Sequence, residues 1–128
     1  MTAVAAADLS RERYVSLATF RRSGAEVRTP IWFAMIDQRL WMMTAGDSGK
    51  VKRLRNDPRV RVAPSDARGV MRGPWREATA RIADDPREIA AAHAGLRAKY
   101  GWQMTMLDLF SRLSGRIRRR VWLEVALR

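Results

Sequence analysis

Thr44-Ala45-Gly46-Asp47-Ser48-Gly49-Lys50-Val51-Lys52-Arg53-Leu54-Arg55 is the stretch around which the rest of the chain arranges itself. The apolar run Leu40-Trp41-Met42-Met43 before it has the character of a strand. Ala45 to Gly49 are small or turn-forming residues. From Lys50 the spacing changes. Val51 and Leu54 share one side while Lys50, Lys52, Arg53 and Arg55 take the others, which predicts a short helix. Asp47 or Ser48 can cap it, and Asn56-Asp57-Pro58 ends it, because the residue before a proline disfavours helical geometry. A strand, a small-residue turn and a basic helix start make a place for a phosphate. Free N–H groups point out of the helix N-terminus, the macrodipole favours an anion there, and Lys50 adds a full charge in the first turn. The stretch is not a Walker A loop: the first glycine of that spacing is missing, and Val51 stands where Ser or Thr would hold magnesium. A basic helix that only faces water is the other reading of these residues.

Upstream, Tyr14 to Phe20 is rich in strand formers, and Arg21-Arg22-Ser23-Gly24-Ala25 turns the chain. Glu26 to Ile36 reads as one extended run with Val27, Thr29, Ile31, Phe33 and Met35 on one face. Pro30 cannot donate to a ladder, so this strand is an edge or carries a bulge. Downstream, Arg59 to Ala63 alternates charged and apolar residues, and Trp75 to Ala83 is a further strand with Ala78, Ala80 and Ile82 on one face. Asp85-Pro86-Arg87-Glu88 opens a helix: Asp85 as N-cap, Pro86 at its first position, Glu88 at capping-box spacing. That helix runs to Tyr100, with Gly101 as its stop. Gln103 to Leu113 is a second helix whose stripe of Met106, Leu107, Leu109, Phe110 and Leu113 is expected to be core or interface. Arg116 to Arg120 leads into a last alternating strand, Val121 to Leu127. Six strands with short flanking helices predict a mainly β (α+β) fold, a small antiparallel barrel, in one domain over residues 1–128. Such a barrel has little room for a cofactor inside, so a ligand is expected on its outside or at a subunit contact.

Composition narrows the function. The chain carries 25 Lys and Arg against 13 Asp and Glu, a net charge of +12. Nucleic acid, an acidic membrane surface and a polyanionic small molecule are the partners that could explain it. With no cysteine there is no thiolate metal site. His93, the one histidine, argues against a histidine metal cluster, a Ser/His/Asp triad and haem ligation, and is expected to be structural or solvent-facing. The five tryptophans are not clustered on one strand pair with interleaved basic residues, so nucleic acid is an unlikely partner. No apolar run reaches the roughly 18 residues of a membrane span. The opening Met1 to Ala7 is too short and lacks the basic start of a secretory signal. The expectation is a cytoplasmic protein with no membrane partner.

Several segments together resemble the split β-barrel flavin and deazaflavin oxidoreductases, the superfamily that includes pyridoxamine 5′-phosphate oxidase, and more narrowly the PPOX-class enzymes dependent on coenzyme F420. They are Tyr14-Val15-Ser16-Leu17-Ala18-Thr19, Arg28-Thr29-Pro30-Ile31-Trp32-Phe33-Ala34, Thr44 to Asn56, Asp57-Pro58-Arg59-Val60 and Ala63 to Gly69. The resemblance implies an FMN-binding split-barrel fold, a homodimer with two cofactor sites at the subunit contact, and hydride transfer to or from a small organic substrate. It assigns Arg28, Thr29, Pro30, Ile31 and Trp32 to the cofactor ring, largely through backbone. It assigns Met43 and Thr44 to the next strand's contact, and Ser48, Gly49 and Lys50 to the cofactor phosphate. Arg28 is a second phosphate candidate and Arg55 belongs to the surrounding positive field. Met43 stands where FMN oxidases usually have an aromatic residue, and Gly49 where they usually have a basic one. The grip on a lone phosphate is thus thin while the basic field is wide, which favours coenzyme F420, with its polyglutamate tail, over FMN as the alternative. A cofactor-binding protein without turnover is the rival reading. Tyr14, Tyr100 and Ser65 are the candidate proton donors, none raised above a structural role. Trp32, Trp41 and Trp122 lie on strands of a barrel too small to bury them all, so a second copy is expected to cover some.

Overall fold

The computed structural model describes residues 9–128, so the reading of Met1 to Ala7 lies outside the described residues. Its frame is one antiparallel sheet of seven strands: β1 (Tyr14–Phe20), β2 (Glu26–Ile31), β3 (Ala34–Ile36), β4 (Arg39–Ala45), β5 (Arg59–Ser65), β6 (Arg76–Ala83) and β7 (Arg120–Leu127). Their order across the sheet is β2-β1-β5-β6-β7-β4-β3. The two edge strands, β2 and β3, are consecutive in the chain and separated only by Trp32 and Phe33. The sheet must therefore curl until its edges face each other. This is the split barrel expected from the sequence, with seven strands instead of six.

The extra strand comes from a break. The run Glu26 to Ile36 pairs with β1 as far as Ile31, then leaves the ladder and pairs with β4 from Ala34. At the break, the Phe33 N–H donates to the Tyr100 hydroxyl at 3.0 Å. That hydroxyl's own proton lies between the carbonyls of Arg13, at 2.7 Å, and Phe33, at 3.0 Å. Trp32 stacks on the Tyr100 ring with centroids 4.3 Å apart. Backbone groups that lose a ladder need other partners, and a tyrosine at the end of a helix supplies them. Pro30 sits on the edge strand β2, where its missing N–H costs nothing.

Two apolar clusters hold the sheet. The inner one contains Val15, Leu17, Leu40, Met42, Val60, Val62, Leu123 and Val125, and fills the barrel. The outer one places Trp41 and Trp122 under Ala92, Leu96 and Tyr100 of helix α2 (Pro86–Tyr100). Alternation along β4 and β7 divides the residues between them: Leu40 and Met42 face in, Trp41 out; Leu123 and Val125 face in, Trp122 out. The expectation that a second copy covers the strand tryptophans is therefore corrected for two of them, since α2 already buries Trp41 and Trp122. Asp85 caps α2 by accepting from the Arg87 N–H at 2.9 Å. Glu88 does not complete a capping box; its carboxylate binds Arg81. Helix α1 (Gly49–Asn56) buries Val51 and sends Leu54 into the inner cluster, closing one end of the barrel.

In helix α3 (Trp102–Leu113) the stripe read as core or interface is not part of this chain's core. The helix buries Met104 and Asp108, while the stripe faces out. Asp108 accepts from Arg120 at 2.6 Å and from His93 at 2.8 Å. Burial works against the Asp108 carboxylate, but these hydrogen bonds outweigh it and hold its pKa below the ordinary value. His93 also meets Trp122 edge-on, so its role is structural as expected.

Candidate functional site

The site is built from strand ends. The antiparallel pairings place the ends of β1 and β4 and the starts of β2, β5 and β7 together at one end of the sheet. Three basic segments converge there: the Arg21-Arg22 turn between β1 and β2, the start of α1, and a single turn of tighter helix, Arg116–Arg119, before β7. Gly46 allows the last two to meet. Its N–H donates to the Arg119 carbonyl at 2.6 Å, and a Cβ there would lie 2.5 Å from that oxygen. Only glycine permits so close a backbone approach.

Ser48 is the N-cap of α1, but its hydroxyl makes no cap bond and lies 3.3 Å from the Thr44 hydroxyl. The helix start thus keeps donors that no side chain of the cap satisfies. Gly49 leaves room for the Arg53 guanidinium, which would come within 2.6 Å of a Cβ at that position. Arg53 donates to the Thr19 hydroxyl at 2.6 Å. Lys50 is half-buried and forms no hydrogen bond or ion pair among the described residues. Burial, and then repulsion from Arg53, hold its pKa below the ordinary lysine value. Burial and then Arg21 do the same to Arg53. Arg21, Arg22, Gly49, Lys52, Arg53 and Asn56 line an open hollow of about 440 Å³. Four of the six are cations and none is an anion. This arrangement can hold a polyanion, and it meets one test of fit: four cations line it with no carboxylate among the lining residues, and the Arg53 pKa is held down by burial and by Arg21.

Among the residues read from the sequence, only Gly49 lines this hollow; Ser48 and Lys50 flank it in the chain, and the Ser48 hydroxyl meets that of Thr44. Met43 is half-buried against the outer cluster. Arg55 is exposed and outside the hollow. Arg28 lies on β2 near the same end, paired with Glu26 at 3.1 Å and stacked over Trp75 at 4.9 Å. Thr29 pairs with Leu17 and so shares its inward face; its hydroxyl is buried with no partner. Pro30 faces outward, Ile31 packs inward, and Trp32 leaves from the opposite end of the strand onto Tyr100. As an edge strand, β2 turns half of its backbone groups away from β1, which suits the backbone contact read for a ring. Arg21 and Arg22 were not among the site residues read from the sequence, and Arg53 was read only as part of the surrounding positive field. Their signal was only charge, and it is the pairing of β1 with β2 that carries the arginine turn to α1.

Of the candidate proton donors, Tyr100 and Ser65 have their hydroxyls engaged by backbone carbonyls. Burial pushes the Tyr100 pKa up to about 12, and its hydroxyl is committed to backbone. Ser65 is buried and donates to the Asp66 carbonyl. No group of acidic residues and histidine able to hold a metal ion occurs among the described residues, and none of their helices is long and apolar enough to cross a membrane.

The family model described as pyridoxamine 5′-phosphate oxidase matches residues 1–128, and the chain belongs to this family. Curated proteins give no match. Among solved structures, a conserved hypothetical protein of Mycobacterium tuberculosis is 26% identical, with 98% of this chain and 79% of that one covered and a TM-score of 0.74. HutZ, the haem storage protein of Vibrio cholerae, is 12% identical over 92% of this chain and 83% of that one, with a TM-score of 0.72. An F420 reductase is 20% identical over 94% of this chain and 90% of that one, with a TM-score of 0.61. At those identities the last two share the fold.

Proposed function

We propose that this member of the pyridoxamine 5′-phosphate oxidase family is an oxidoreductase that binds coenzyme F420, with FMN as the alternative, and that it works as a homodimer on a small organic substrate. The observation that carries the reading is the basic hollow beside α1, which Gly49 lines together with Arg21, Arg22, Lys52 and Arg53, with Lys50 next to Gly49 in the first turn and close enough to Arg53 to be repelled by it. A single phosphate needs only the local grip of Ser48, Gly49 and Lys50. A phosphodiester with an acidic tail makes use of the wider field. That an F420 reductase has the same fold supports the reading.

When bound, the deazaflavin supplies hydride transfer to or from a substrate stacked on its ring. The chain's own residues bind and orient. Lys50 and the free N–H groups of α1 hold the anionic end. The outward backbone edge of β2 from Arg28 to Ile31, with Trp32 after it, and Met43 and Thr44 of β4 would hold the ring. Lys52, Arg53 and Arg55 attract the tail. The inner cluster closes the barrel interior, so the ring lies outside it, where a second copy can complete the site. The proposed dimer draws on the free edge of β2 and not on Trp41 or Trp122. Sedimentation should give twice the chain mass.

Titrating the purified protein with coenzyme F420 and with FMN by fluorescence, at low and at high salt, tests the assignment. Tighter binding of coenzyme F420 is expected, with the preference shrinking as salt screens the exposed arginines. Tighter binding of FMN at both salts would replace the deazaflavin by FMN. No binding of either would remove the reading.

A further inference from the structure

Helix α3 is inside out. It directs Asp108 and Ser111 inward, where Arg120 binds both, and presents Trp102, Met106, Leu109, Phe110 and Leu113 to solvent. These five fall at i, i+4, i+7, i+8 and i+11, on a single face. Trp102 is 74% exposed, Phe110 60% and Leu113 76%. An apolar face this continuous on a surface helix marks an interaction site. Its surroundings are basic. Arg112, Arg116, Arg118 and Arg119 are all exposed at its C-terminal end, and the one acidic residue between Trp102 and Arg120 is the inward-facing, paired Asp108. Arg112, Arg118 and Arg119 line a hollow of about 520 Å³ with Gly115 and Ile117. Asp47 lines a separate hollow with Arg116 and Arg119.

We propose that α3 and the arginine turn after it dock on an anionic phospholipid surface, the stripe entering the acyl boundary and the arginine hollow receiving a headgroup phosphate. A helix with tryptophan, phenylalanine and leucine on one face and arginines at its rim has the composition of an interfacial helix. A second copy fits less well. Joining two stripes would bring eight arginines together with one exposed carboxylate per copy, Asp47 beside Arg116 and Arg119, to offset them, and like charge at an interface is costly. This departs from the sequence expectation of no membrane partner. It concerns a surface contact and is independent of which cofactor binds at α1.

The test is co-sedimentation of the full chain with vesicles of phosphatidylcholine alone and of phosphatidylcholine mixed with phosphatidylglycerol. The parent should bind the mixed vesicles and not the neutral ones, more weakly as salt rises. Phe110→Ser with Leu113→Ser, and separately Arg118→Gln with Arg119→Gln, should each lower binding roughly tenfold. Both pairs are exposed, so circular dichroism should be unchanged. Absence of binding to mixed vesicles at low salt would overturn the proposal. So would undiminished binding by the Phe110→Ser, Leu113→Ser variant, which would leave only the attraction of net charge. A parent dimer that this variant splits would assign the stripe to a second copy and overturn it as well.

Discussion

Arg120 and Arg53 stand under opposite conditions. Arg120 is inside an ion pair, 2.6 Å from Asp108, with both side chains at most 9% exposed. Arg53, on α1, has only the Thr19 hydroxyl as partner and has Lys50 and Arg21 for neighbours. The same contrast runs through the molecule. Arg81 and Arg39 meet Glu124, and Arg72 meets Glu12, away from α1. No carboxylate among the described residues lines the hollow at α1 or pairs with its cations. A paired charge holds the fold in place. Unpaired charges concentrated at a helix start oppose folding and are retained where something else gains from them. Stability and binding should therefore separate cleanly between the two regions.

The largest effect is expected on the paired side. Asp108→Ala leaves Arg120 buried and uncompensated and should lower unfolding stability by about 3–5 kcal/mol in urea titrations. A loss below about 1 kcal/mol would mean that Asp108 does not anchor α3. The same pair sets the acid limit. Folding holds Asp108 below its ordinary pKa, so its contribution is complete above about pH 5 and is lost as pH falls through the folded value. The urea midpoint of the parent should drop between pH 5 and pH 3, and that of Asp108→Asn should drop less.

A smaller effect of opposite sign comes from Lys99, a buried ammonium without a hydrogen-bond partner that rests on the Phe33 ring at 3.5 Å. Burial, with repulsion from Arg13, pulls its pKa down to about 8. The unfolded chain then holds this proton more tightly than the folded one, so stability should rise with pH between about 8 and about 10.5. Lys99→Met should remove that rise and stabilise the protein at pH 7 by on the order of 1 kcal/mol. A destabilised Lys99→Met would show that the contact with Phe33 outweighs burial. Least of all, Leu113→Ser should change stability by no more than about 0.5 kcal/mol, since its side chain touches little in the fold.

The sequence carried most of this frame because it depends on local rules. Alternation located the strands, Pro30 marked an edge, and Asp85-Pro86 opened α2. The break at Trp32 and Phe33 was not legible, since its cause is Tyr100, 67 residues away. Nor was the orientation of α3: periodicity reveals that a helix has an apolar stripe, not which way the stripe faces. The turn from Thr44 to Lys50 was readable as a candidate anion site because its parts are contiguous. Arg21 and Arg22 were not, because only the β1–β2 pairing brings them to it.

The central claim is that the unpaired cations at α1 await the anionic end of a cofactor, and affinity of Lys50→Ala for coenzyme F420 tests it most directly. A charge-assisted hydrogen bond is worth ~1.5–3 kcal/mol, so affinity should fall roughly tenfold or more. The urea midpoint should hold or rise, because the lysine is strained by burial and by Arg53. Binding as tight as the parent's would contradict the account and return Lys50 to the role of a solvated charge on a basic helix.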